Sequence, residues 1–143
     1  MRTHRFMVVL ALVTGLTVAS TTAAVASSAP VSLSFDKSIS NPATSTWSGT
    51  VSGDISGDLT TQLLALDATG PIWHVEFDWI VDGSASFTAR LSGTLHTETG
   101  RVVMNGTVIS GDYLGAQVHE EGQLIDPATL RFTGLIRIFP ATS

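Results

Sequence analysis

Three ionisable side chains alternate along one stretch of the sequence: His74, Glu76 and Asp78. On an extended strand, residues two apart point to the same side, about 7 Å from one another. A histidine and a carboxylate at that spacing inside a cavity would couple their titrations and could act as a general acid/base pair. A second row, Gln117, His119, Glu121 and Gln123, repeats the His-x-Glu spacing. The catalytic candidates are therefore His74, Glu76, His119 and Glu121. Two histidines and two carboxylates could also ligate a divalent metal. Any polar strand face produces this spacing, however, and the His-x-His row of a cupin is missing, so no metal and no cofactor are expected.

The opposite row on the first stretch decides which way these groups face. Trp73, Val75, Phe77, Trp79 and Val81 form the bulkier apolar set. At about 25 cal/mol per Å² of apolar surface, burying two tryptophans and a phenylalanine outweighs anything the other face offers. With that row inward, Trp73, Phe77 and Trp79 are the candidate ligand-binding residues and His74, Glu76 and Asp78 form a solvated outer face. With the faces reversed, as in an oligomer that buries a barrel's exterior, the three ionisable groups would share the lumen.

Both rows require strands to position them, and the chain supplies little else. Apolar residues recur at every second position, with no sustained helical period. Val31, Leu33 and Phe35 alternate with serines; Trp47 to Ile55 alternates next, and Leu59 to Leu66 returns. After a turn at Asp67 to Pro71 comes the stretch around Trp73 to Val81, then the hairpin signal Asp82-Gly83. Phe87 to Leu95, Val102 to Ser110, Gln117 to Ile125 and Leu130 to Phe139 complete the pattern. Eight strands of about 7 to 11 residues with short turns predict an all-β antiparallel meander. Closure into a single eight-stranded antiparallel β-barrel removes exposed edges; the alternative is a two-sheet β-sandwich. Gly49, Gly53, Gly93, Gly106, Gly122 and Gly134 fall inside strands, where they would permit bulges or sharp coiling, or merely punctuate hairpins.

Of the 143 residues, the first 26 have the tripartite form of an export signal. Arg2 and Arg5 precede an apolar run from Phe6 to Val18, and Ala24-Val25-Ala26 offers a cleavage site. The run is shorter than the roughly 20 residues of a spanning helix. The expected organisation is a secretory signal peptide at 1–26 and one β-barrel domain at 27–143, secreted, with no membrane attachment after cleavage. Removing Arg2 and Arg5 leaves 5 basic against 12 acidic residues, a net charge of −7 with histidines neutral. An acidic domain with one lysine, Lys37, is poor material for binding phosphates, so nucleic acid is not an expected partner. Zero cysteines excludes disulfides and thiol chemistry.

Arg90, Arg131 and Arg137 fall on polar alternates, where cross-strand pairing with Glu76, Glu120 or Glu121 is the default expectation. An arginine aimed into a pocket would instead clamp a carboxylate ligand. Asn105-Gly106-Thr107 matches a glycan acceptor but falls mid-strand. No nucleophile elbow, phosphate loop, dinucleotide fingerprint or zinc-protease motif occurs. An internal echo links Ser48-Gly49-Thr50-Val51-Ser52-Gly53-Asp54 to Asn105-Gly106-Thr107-Val108-Ile109-Ser110-Gly111-Asp112 with one insertion, as a four-plus-four strand duplication would.

The segment Gly106 to Tyr113, with Phe132-Thr133-Gly134-Leu135-Ile136, resembles the allene oxide cyclase and dirigent group of small β-barrels. The resemblance spans about Trp73 to Phe139. It implies an eight-stranded barrel with an apolar cavity, used in that group for cyclising or coupling reactive small molecules, or without chemistry. No catalytic residue of the group can be matched by position. Streptavidin-like and lipocalin-like barrels are the next nearest architectures, and Trp47-Ser48-Gly49-Thr50 is faintly similar to the first strand of biotin binders. Three functions follow: a secreted barrel binding a small apolar ligand, a cofactor-independent cyclase or isomerase using the same cavity, or a structural homo-oligomeric module. Fold alone does not choose among them.

Overall fold

The computed structural model describes residues 29–140; the export signal read at 1–26 lies outside them. Eight strands follow in order: β1 (Val31–Asn41), β2 (Thr46–Gly53), β3 (Gly57–Asp67), β4 (Ile72–Gly83), β5 (Ser86–His96), β6 (Arg101–Gly111), β7 (Gln117–Asp126) and β8 (Arg131–Phe139). Each pairs antiparallel with its sequence neighbour, and β1 pairs with β8 from Val31 opposite Ile138 to Lys37 opposite Phe132. Hydrogen bonding is thus continuous around a closed barrel, which excludes the two-sheet alternative.

Alternation sets the interior. The inward row of β4 holds Val75, Phe77, Trp79 and Val81, all buried, while His74 is exposed and Glu76 and Asp78 are half-buried on the outside. The half of the barrel toward the β2–β3, β4–β5 and β6–β7 turns is filled by residues such as Leu33, Ile55, Leu59, Phe87, Val108 and Ile138. The other half is hollow.

Bulges break the ladders at Ser40, Leu64, Ile109 and Ile125, rather than at the in-strand glycines. Those glycines serve a different need. A Cβ on Gly49 would run into the backbone carbonyl of Asp36, and one on Gly106 into that of Arg90. The neighbouring strands pass where a side chain would begin.

The internal echo is a repetition of geometry. Gly53 and Gly111 both take positive φ, 121° and 86°, a region L-residues avoid. The aspartate after each then ties back to the start of the other strand of its hairpin, β1 or β5. Asp54 Oδ2 accepts from the Ser32 N–H at 2.9 Å, and Asp112 Oδ2 accepts from the Ser86 N–H at 2.9 Å. The inserted residue, Ile109, is the bulge: Thr88 lies opposite Ser110 and Ala89 opposite Val108. By register from the two hairpins, Lys37 corresponds to Leu91, and Thr61 corresponds to Glu120.

Candidate functional site

The hollow half encloses a cavity of about 250 Å³. Its walls are apolar, with Trp47 from β2, Leu63 from β3, Val75 and Phe77 from β4, Val102 and Met104 from β6. Its mouth lies at the β3–β4 and β7–β8 turns, where Leu66 and Leu130 line it and reach solvent. The indole N–H of Trp47 donates to the Leu130 carbonyl at 3.0 Å and holds the β7–β8 turn against the wall. The Trp73 indole likewise donates to the Gly70 carbonyl at 3.1 Å, fixing the β3–β4 turn.

Two charged side chains line this cavity at mid-height, Lys37 and Glu120. Lys37 is 5% exposed and Glu120 1%. Lys37 continues the inward row of β1 after Leu33 and Phe35; Glu120 continues that of β7 after Val118. The Lys37 ammonium donates to the Thr61 hydroxyl at 3.2 Å. Five aromatic rings surround it, with Nζ 4.7 Å from the Trp79 ring centre, 4.9 Å from Phe77, 5.8 Å from Phe35 and Trp47, and 5.9 Å from Phe132. Ring faces attract a cation, which offsets part of its lost hydration. Edge-on contacts, Phe35 on Trp79 at 4.9 Å and Trp47 on Phe77 at 5.3 Å, lock the cage.

Burial sets the titration of both groups. Desolvation pushes the Glu120 carboxyl up from 4.5 to about 7, against the pull of nearby Lys37. Desolvation pushes the Lys37 ammonium down from 10.5 to about 8, against the pull of Glu120. The two are coupled through space without touching: no ion pair within 4.0 Å joins them, and Glu120 Oε1 has no hydrogen-bond partner. The buried Trp79 indole N–H is also without one.

Of the residues singled out from the sequence, Trp73 and Phe77 line the cavity. Trp79 is fully buried against Phe35, and its ring forms part of the cage around Lys37. The four acid/base candidates fall elsewhere. His74 and Glu76 line a shallow groove between β3 and β4 with Asp67, outside the cavity. His119 and Glu121 lie on the outer face of β7, where His119 Nδ1 is 2.7 Å from Asn105 Oδ1 and Glu121 accepts from Arg101 at 2.9 Å. Burying the bulkier apolar rows forces this orientation. Among the described residues, no group of three or more His, Asp or Glu is placed to hold a metal ion.

The arginine pairings differ from the expected ones. Arg90 makes two hydrogen bonds to Asp78, at 2.8 and 3.0 Å, and Arg131 makes two to Asp36, at 2.9 and 2.6 Å. The Arg131 hydrogen bond holds the Asp36 carboxyl below its ordinary value. Glu120, expected as a surface partner, instead points inward. A signal for both buried charges was available: each stands at the apolar alternate of its strand, where an ionisable residue is out of place.

Comparison with protein-family models, with curated proteins and with solved structures finds no match to this chain. What the geometry defines is a closed antiparallel barrel, filled at one end and hollow at the other, with a buried Lys37–Glu120 couple inside the hollow.

Proposed function

We propose that the protein binds a small, mainly apolar molecule inside the barrel. The observation that carries this reading is the cavity of about 250 Å³, walled by apolar side chains and reaching solvent at Leu66 and Leu130. A dry apolar cavity of about 150 Å³ accommodates benzene, so this one suits a ligand of roughly ten non-hydrogen atoms. The reading accords with the resemblance to the allene oxide cyclase and dirigent group, whose barrels have apolar cavities. Export is part of the same proposal and rests on residues 1–26. The polarity supports a barrel that works in water. Membrane barrels carry their apolar band outside, whereas this one presents Arg90–Asp78, Arg101–Glu121 and Arg131–Asp36 pairs outward.

Titration with a chemically varied panel of small apolar compounds, followed by tryptophan fluorescence and thermal shift, tests the reading. Saturable changes are expected for ligands near ten non-hydrogen atoms. Val75→Phe, which grows a ring into the cavity, should abolish them in a folded protein. A flat response across the panel, or binding untouched by Val75→Phe, would overturn it.

A second reading, a cofactor-independent cyclase or isomerase, is favoured by one observation. Lys37 and Glu120 titrate near neutrality, at about 8 and about 7, inside the cavity. Groups so poised can exchange a proton with a bound substrate. The structural homo-oligomer has weaker support: the exposed apolar side chains Leu64, Ile80, Ile109 and Leu135 fall on four different strands.

A further inference from the structure

We propose that Lys37, Thr61 and Glu120 form a head-group site for one hydroxyl of an otherwise apolar alcohol or phenol, which accepts from the Lys37 ammonium and donates to the Glu120 carboxylate. This rests on the ligand-binding reading of the cavity and adds the chemical class of the ligand.

Three observations converge on it. Lys37 carries three donors, and the Thr61 hydroxyl at 3.2 Å engages one. Glu120 Oε1 is buried and unpartnered, and Glu120 lines the same cavity as Lys37. The two charges are held more than 4.0 Å apart, so neither satisfies the other. A single oxygen set between them would make one hydrogen bond of about 2.8 Å to each.

Charge and valence then select the group. A hydroxyl both donates and accepts, and it brings no charge into apolar surroundings. A hydrocarbon leaves Oε1 stranded, which is costly for a buried charged acceptor. A ketone or ether can accept from Lys37 but has nothing to give an ionised Glu120. A carboxylate sets a second negative charge beside Glu120 and enters only with an extra proton. An ammonium meets Lys37, which already occupies the aromatic cage. The ring faces around Nζ hold the donor in place, while the apolar walls toward the mouth receive the body of the ligand.

Isothermal titration calorimetry at pH 7.5 with three probes of one shape tests this: propylbenzene, para-propylphenol and para-propylbenzoate. The native protein should bind the phenol about tenfold or more tighter than either of the others. Lys37→Met or Glu120→Gln should reduce that preference. Because a single change can leave one buried charge unmatched and prevent folding, the charge-neutral double variant Lys37→Met/Glu120→Leu is the decisive one. It should bind propylbenzene at least as tightly as the phenol. Equal binding of propylbenzene and phenol by the native protein would overturn the head-group site and leave the cavity reading standing. Tightest binding of the benzoate would overturn it in favour of an anion site. Binding of none of the three would overturn both.

Discussion

The Lys37–Glu120 couple should print a trough on the pH dependence of stability. In the unfolded chain Glu120 loses its proton near 4.5, whereas in the barrel it keeps it to about 7. Between those values the folded state holds a proton that the unfolded state has released, so stability falls as pH rises. At about 1.4 kcal/mol per pH unit, the loss across the interval is about 3 kcal/mol. Lys37 acts in the opposite sense. Its folded value of about 8 lies below the unfolded 10.5, so between them the unfolded chain holds the extra proton and stability rises with pH, again by about 3 kcal/mol. The minimum therefore lies at pH 7 to 8, where many proteins are most stable. The assay is urea unfolding at a series of pH values, followed by tryptophan fluorescence, for the native protein and for Lys37→Met/Glu120→Leu. The outward-facing carboxylates, half-buried Asp36 among them, are common to both proteins and cancel in the difference. The double variant should lose the trough and be more stable at pH 7.5 by about 1 to 4 kcal/mol, as apolar replacements of buried ion pairs often are. A native-minus-variant curve that is flat, or that rises between pH 4.5 and 7, would refute the desolvation argument.

Three further outcomes follow from named contacts. Gly49→Ala and Gly106→Ala, whose new methyls meet the Asp36 and Arg90 carbonyls, should each destabilise by about 2 kcal/mol or more in urea titrations, and by similar amounts if the two hairpins are equivalent. His74→Ala, Glu76→Gln, His119→Ala and Glu121→Gln, all outside the cavity, should leave the affinity for a cavity probe within about twofold by calorimetry. Trp47→Phe removes the hydrogen bond to the Leu130 carbonyl, and should cost about 1 kcal/mol and speed amide exchange in the β7–β8 turn.

The barrel was legible in the sequence because period-2 alternation and short turns leave few other architectures for eight consecutive strands. The facing of β4 followed from the bulk of Trp73, Phe77 and Trp79, and the repeated hairpin from a seven-residue echo whose insertion is the Ile109 bulge. The polar half of the site was not read. His74, Glu76, His119 and Glu121 drew attention because they cluster, yet clustering of polar residues is what a solvated strand face produces. Lys37 and Glu120 are 83 residues apart in sequence and each stands alone in an apolar row. Only barrel closure brings them to one cavity. The informative pattern was an isolated violation of alternation, occurring twice.

Closure has a consequence for the order in which the chain assembles. Seven of the eight strand pairings join sequence neighbours through turns, while the β1–β8 seam joins the two ends of the domain. Loop-closure entropy makes so distant a pairing slow, and we expect it to zip last. Lys37 stands on that seam, opposite Phe132, so its charge stays hydrated until the final strand docks. The desolvation of the couple is thereby deferred to the last step. It would burden the folding transition state only as far as the seam has formed, and refolding should quicken in the double variant if closure is rate-limiting.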